Sequence, residues 1–146
     1  VLGYGEKGKA DGAKLLVGGE QAHADSGGFY GEPTLFDNVS NDMTIAREEI
    51  FGPILPVLKF KTYEEAIELA NDSEFGLAAM VFTQDMNKIM RLTDELEFGE
   101  VYVNRGHGEQ HQGFHNGLKL SGTGGEDGKY GFEQYLEKKS FYVKFN

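Results

Sequence analysis

Between residues 54 and 103, short apolar runs alternate with amphipathic stretches opened by helix caps. That alternation leaves few folds open. Residues 55–60 are a mostly apolar run of strand length. Thr62-Tyr63-Glu64-Glu65 then reads as a capping box, in which the Thr62 hydroxyl accepts from the Glu65 amide and the Glu65 carboxylate reaches back. A helix follows through Ala70, with Ala66, Ile67 and Ala70 on one face, and Asn71-Asp72-Ser73 stops it. Residues 77–82 form a second buried-strand run. Thr83 is the expected cap of the next helix, whose apolar positions Met86, Ile89, Met90, Thr93 and Leu96 recur every three or four residues. Gly99 is placed to end that helix as its C′ residue, before a third strand at 101–103. Strand–helix–strand–helix–strand at this spacing predicts an α/β fold with right-handed crossovers and a parallel sheet.

The flanks are weaker. Residues 2–16 suggest a helix with Leu2, Ala10, Ala13 and Leu16 on a loose stripe, running into a short strand at 15–17. Gly3, Gly5, Gly8 and Gly12 each cost such a helix about 1 kcal/mol, so it needs tertiary packing. Pro33 makes residues 29–36 irregular or an edge strand. Residues 105–117 and 121–131 read as glycine-rich loops, 132–136 as a short helix and 140–145 as a closing strand. The first of these loops follows a strand's carboxyl end, where ligands gather in α/β sheets.

Charge and cysteine count narrow the function. The formal charge of −10 argues against nucleic acid or an anionic membrane surface as partner. With no cysteine, these residues hold no disulfide, no thiolate zinc ligand and no thiol nucleophile. The sequence shows neither a secretory leader pattern nor an apolar run long enough to span a bilayer, so a cytoplasmic protein is expected. It begins at Val1, not Met, which suggests a piece of something longer.

Three constellations could carry chemistry. Gly3-Tyr4-Gly5-Glu6-Lys7-Gly8 matches G-x-G-x-x-G, but no strand precedes it, so it is read as structural. His107, His111 and His115 are spaced by four around Glu109. On a helix they would hold zinc, but Gly106, Gly108 and Gly113 oppose a helix. A solvated loop, a substrate contact and a metal site stay open, in that order. Glu48-Glu49-Ile50-Phe51-Gly52-Pro53 puts two carboxylates beside an aromatic ring. A carboxylate there can accept from both hydroxyls of a ribose and an aromatic edge can support a flat ring, although a plain charged helix end is the simpler account.

The segments "EEIFGP" (48–53), "ANDSEFGLAA" (70–79), "FGEVYVN" (98–104) and "KLSGTG" (119–124), with the opening "LGYGEKGKADGAKLLVGG", resemble the C-terminal part of NAD(P)-dependent aldehyde dehydrogenases. The likeness runs through essentially the whole chain, in order. It implies the C-terminal part of that family's catalytic domain over residues 1–136, ending in an oligomerisation strand over 137–146. In the family, a Cys thiolate adds to the aldehyde, hydride passes to the nicotinamide and a Glu base activates water. Those groups precede the segment matching Val1, so no catalytic residue is assigned here and the isolated chain is expected to be inactive. By resemblance, Glu49 matches the carboxylate on the nicotinamide ribose of NAD or NADP, Phe51 matches the aromatic beside the nicotinamide, and Glu48 is structural.

Where many family members carry Pro-Phe-Gly-Gly, this chain reads Gln112-Gly113-Phe114-His115-Asn116-Gly117. That form, with Asn104-Arg105 before it and "GGEDGKYG" after it, resembles the lactaldehyde and glycolaldehyde dehydrogenase branch. It implies that Glu109 and His115 approach a small hydroxyaldehyde, that no metal is needed, and that the protein is a homo-oligomer through its last strand. A non-catalytic module of the same fold and a metal-binding protein built on His107, His111, His115 and Glu109 are the competing readings.

Overall fold

Leu2–Ala10 forms helix α1 in the computed structural model, which describes all residues 1–146. Its glycines find their reason at Gly8, where a Cβ would stand 3.0 Å from Ile45 Cδ1 and 3.3 Å from Phe36. The missing side chain lets the helix lie directly on the core. The helix stops six residues short of the expected end, because Gly12 turns the backbone at φ +98° and the next residues become strand. Gly3, Gly5 and Gly8 all lie inside α1, so the G-x-G-x-x-G pattern is helical and not a phosphate turn.

The chain divides into two units, Val1–Ser73 and Glu74–Asn146. In the first, α1 leads into β1 (Lys14–Val17), a small hairpin of β2 (Gln21–Ala22) and β3 (Tyr30–Gly31), then β4 (Thr34–Asp37). One-turn helix α2 (Thr44–Arg47), β5 (Ile54–Pro56) and α3 (Tyr63–Asn71) complete it. The sheet order is β1-β4-β5, antiparallel between β1 and β4 with Leu15 opposite Phe36, and parallel between β4 and β5 with Leu35 opposite Leu55. Ala13, Phe36, Val39 and Ile45 are its buried centre, with Tyr4, Leu15, Ile54 and Leu58 packed against them. The capping box forms: Thr62 Oγ1 accepts from the Glu65 amide at 3.1 Å. The return bond goes one residue further back, Glu65 Oε2 accepting from the Lys61 amide at 2.7 Å. Arg47 Nη2 donates to Asp72 Oδ2 at 2.7 Å and so anchors the end of α3 to α2.

The second unit comprises β6 (Phe75–Gly76), β7 (Ala78–Val81), α4 (Met86–Glu95), β8 (Glu100–Val103), β9 (His115–Asn116), β10 (Leu118–Lys119), β11 (Gly125–Glu126) and α5 (Gly128–Glu133). β7 and β8 are parallel, Ala79 facing Val101 and Val81 facing Val103, with α4 as the crossover. β6 pairs antiparallel with β10, and β9 with β11. No helix is long and apolar enough to cross a membrane.

Several expectations need correction. The sheets are mixed rather than all parallel, and β5 pairs with β4 instead of joining β7 and β8. A three-residue apolar strand does not encode its partner, and β4 supplies the edge. Asp85, not Thr83, caps α4, accepting from the amides of Asn87 at 3.0 Å and Lys88 at 3.3 Å. Met86 and Met90 face outward, and the buried side of α4 runs through Ile89, Leu92 and Leu96. Gly99 is not a C′ residue, because α4 ends at Glu95 with extended Leu96 as its cap. Instead, a Cβ at Gly99 would meet the Asn116 carbonyl. The last helix starts at Gly128, four residues early, and residues 137–146 form no strand. An isolated edge has no ladder partner to fix it, and Phe141, Tyr142 and Phe145 stand exposed.

Candidate functional site

The loop after β8 folds back along its own strand. Asn104 makes this possible: at φ +56° it turns the chain, its Nδ2 donates to the Thr83 carbonyl at 2.8 Å, and its Oδ1 accepts from the Thr83 amide at 2.9 Å. The ends of β7 and β8 are thereby tied. Arg105 stiffens the turn, donating from Nη2 to the Gly108 carbonyl at 2.7 Å, with its guanidinium 5.4 Å from the Tyr102 ring centre. The returning loop delivers His115 against Glu100, the first residue of β8.

Five side chains converge there. His115 Nδ1 lies 3.1 Å from Glu100 Oε2 and 3.6 Å from Glu109 Oε2. His107 Nε2 lies 3.4 Å from Glu109 Oε2 and 3.9 Å from Glu100 Oε2. Tyr102 donates to Glu100 Oε2 at 2.9 Å and meets the His107 ring edge-on. The His115–Glu100 contact has the separation of an ion pair, charged when His115 is protonated, with the ring N–H poorly aligned for a linear hydrogen bond. Glu100 raises the pKa of His115 above the ordinary histidine value, with Glu109 and Glu126 adding to it and burial opposing it. Burial, then the Glu100 carboxylate, raises that of the Tyr102 hydroxyl. Chemically, the cluster favours the protonated form of His115. Glu100, Glu109 and His115 also offer ligand atoms within 4.8 Å of one another, close enough to share one divalent cation.

The expected pair, Glu109 and His115, therefore comes together, and His107 joins it. His111 does not: its exposed ring has no part in these contacts. Glu100 was missed. Its signal was available, since Glu100 and Tyr102 alternate onto one face of a strand that leads into a histidine-bearing loop.

The acidic pair in the first unit separates into two environments. Glu48 Oε2 accepts from the Tyr4 hydroxyl at 2.8 Å and from Lys7 Nζ at 3.3 Å. The Tyr4 bond, with Lys7, lowers its pKa. Glu48 is thus used in seating α1 beside α2. Glu49 is exposed and makes no hydrogen bond or ion pair. Beside it Phe51 is 87% exposed and sits at φ +48°, a conformation rarely adopted by an aromatic residue. Glu49 and Phe51 border one shallow concavity with Ile45, Ala46 and Pro56.

A family model described as the aldehyde dehydrogenase family matches residues 1–141. The chain belongs to that family. A 3,6-anhydro-alpha-L-galactose dehydrogenase of Vibrio sp. (strain EJY3) is 67% identical over 138 residues, covering 93% of this chain and 29% of that protein. The lactaldehyde dehydrogenase of Escherichia coli (strain K12) is 44% identical over 134 residues, covering 92% of this chain and 28% of that protein. Among solved structures, a 3,6-anhydro-L-galactose dehydrogenase in complex with NAP superimposes with a TM-score of 0.92 at 63% identity, covering 96% of this chain and 30% of that one. The chain thus spans less than a third of the length of these aldehyde dehydrogenases.

Proposed function

We propose that these residues are the C-terminal part of an NAD(P)-dependent aldehyde dehydrogenase that oxidises a small hydroxylated aldehyde to the acid. The observation that carries this reading is the polar cluster of His115 and Glu109, in the loop after β8, with Glu100 of β8, at a place where a dry, apolar lining would suit alkyl aldehydes. A substrate hydroxyl left without a partner in a closed pocket costs about 1–3 kcal/mol, so a pocket that supplies one selects for it. Both dehydrogenases named above have hydroxylated aldehydes in their names, in agreement with that choice. Lactaldehyde, glycolaldehyde and the anhydrosugar share the feature that matters, a hydroxyl near the carbonyl.

Glu49 and Phe51 fit a nicotinamide ribose. The carboxylate is free of partners and can accept from two vicinal hydroxyls, and the exposed ring offers a flat apolar face. The dinucleotide, when bound, accepts the hydride. These residues hold no cysteine and so no thiol nucleophile, and on this reading the 146 residues alone do not turn over. Residues 137–146 serve as a strand only against another subunit, and the enzyme works in the cytoplasm.

The test is His115→Phe in the full-length enzyme, assayed on lactaldehyde and on propanal. The expected outcome is a loss of kcat/KM about tenfold greater for lactaldehyde, equivalent to one hydrogen bond of about 1.4 kcal/mol. Equal losses on both substrates refute the assignment.

A further inference from the structure

Glu100 is the best-anchored member of the cluster. Its side chain is 12% exposed, against 39% for Glu109. It stands on β8 rather than in the loop, and the Tyr102 hydroxyl, two residues along the same strand face, donates to its Oε2 at 2.9 Å. That same oxygen faces His115 Nδ1 at 3.1 Å. The groups facing His115 are Glu100 on β8, Glu109 in the loop, whose Oε2 also meets His107, and Glu126 on β11, directly opposite it in the ladder.

A neutral imidazole has one N–H. If Nδ1 keeps it toward a carboxylate, Nε2 is an acceptor, whereas the cation donates from both nitrogens. A fixed carboxylate beside Nδ1 favours the cation and so keeps Nε2 as a donor. We infer that Glu100 is a positioning residue: held by Tyr102, it orients the His115 ring and keeps it doubly protonated, so that Nε2 donates a charge-assisted hydrogen bond to the substrate hydroxyl. The inference rests on His115 contacting substrate, as proposed above, and adds what governs that contact. Glu100 itself touches no substrate. Glu109 stands in the loop and is the more exposed of the two, whereas Glu100 is fixed in its strand.

The sign follows from the charge. The His115 cation is favoured, so hydroxyaldehyde selectivity is greatest at low pH and falls as pH rises through the raised His115 pKa, where neutral Nε2 can only accept from the hydroxyl. Removing the carboxylate moves that loss to lower pH.

The experiment compares the full-length enzyme with Glu100→Gln, Glu100→Asp and His115→Phe. Each is assayed from pH 5.5 to 9 for kcat/KM on lactaldehyde relative to propanal. The expected result is a wild-type ratio that falls with rising pH. In Glu100→Gln the fall occurs at lower pH, leaving the lactaldehyde-to-propanal ratio at pH 7.5 about fivefold smaller. Glu100→Asp, which keeps the charge but withdraws it by one methylene, gives a profile between the two. It also carries the test should Glu100→Gln not fold. A Glu100→Gln or Glu100→Asp profile superimposable on wild type, while His115→Phe abolishes the selectivity, overturns the role of Glu100 alone. Equal losses on both substrates in His115→Phe overturn the substrate contact and this inference with it.

Discussion

Gly99→Ala offers the most direct probe of how the fold holds the site. A Cβ at this position would stand 2.5 Å from the carbonyl carbon of Asn116 and nearer still to its oxygen, with the Gly117 nitrogen at 3.3 Å. All three atoms are backbone, so no side-chain rotation relieves the clash. Ordinary contact begins at 3.4 Å, which obliges β9 to retreat from β8 by at least about 0.9 Å. His115 precedes Asn116 and Glu100 follows Gly99, so the retreat falls on the ion pair. Its 3.1 Å separation then opens to roughly 4 Å, the limit of a useful ion pair. Overpacking a tight site costs typically 1–3 kcal/mol. With only backbone to yield, the upper end applies, and about 3 kcal/mol is a factor of roughly 150 in the folding equilibrium. The assay is the urea midpoint of the full-length variant, read beside its lactaldehyde-to-propanal ratio. Gly106→Ala is the control: it lies in the loop after β8, has nothing within 4 Å of its Cβ and no positive φ, and so should leave both readings unchanged. A Gly99→Ala protein with a wild-type midpoint and ratio would refute the claim that β8 and β9 are in close approach.

Three other outcomes concern the first unit. Ile45→Ala empties a fully buried site against Phe36 and Gly8 and should cost about 2–5 kcal/mol in denaturant unfolding, and a midpoint within error of wild type would mean this cluster is not the unit's core. Glu49→Gln in the full-length enzyme should raise the dinucleotide Kd and slow hydride transfer. Glu48→Gln should instead lower the melting temperature and leave dinucleotide affinity alone, because its carboxylate is occupied by Tyr4 and Lys7. The opposite assignment of effects would exchange their roles.

Local chemistry was readable from the residues directly. Thr62 and Glu65 cap a helix because the hydroxyl and carboxylate need only the backbone three or four positions away. The β7–α4–β8 crossover was legible for the same reason, its two strands and helix being consecutive and its connections short. So too were the family, carried by four ordered motifs, and the loop that bears Glu109 and His115.

Distance along the chain set the limit. Whether β5 pairs with β4 or β7 depends on which edge is open, and nothing within a three-residue strand records that. Gly99 has the appearance of a helix terminator until Asn116, seventeen residues on, is brought against it. Glu48 and Glu49 are chemically identical neighbours, and they part company only because Tyr4 and Lys7, more than forty residues earlier, close on one of them. Glu100 belongs to the site solely because the loop returns to the start of its own strand. Hydrogen bonds to nearby backbone are encoded by residue type and spacing, whereas contacts between remote segments exist only once the packed core has fixed where those segments lie.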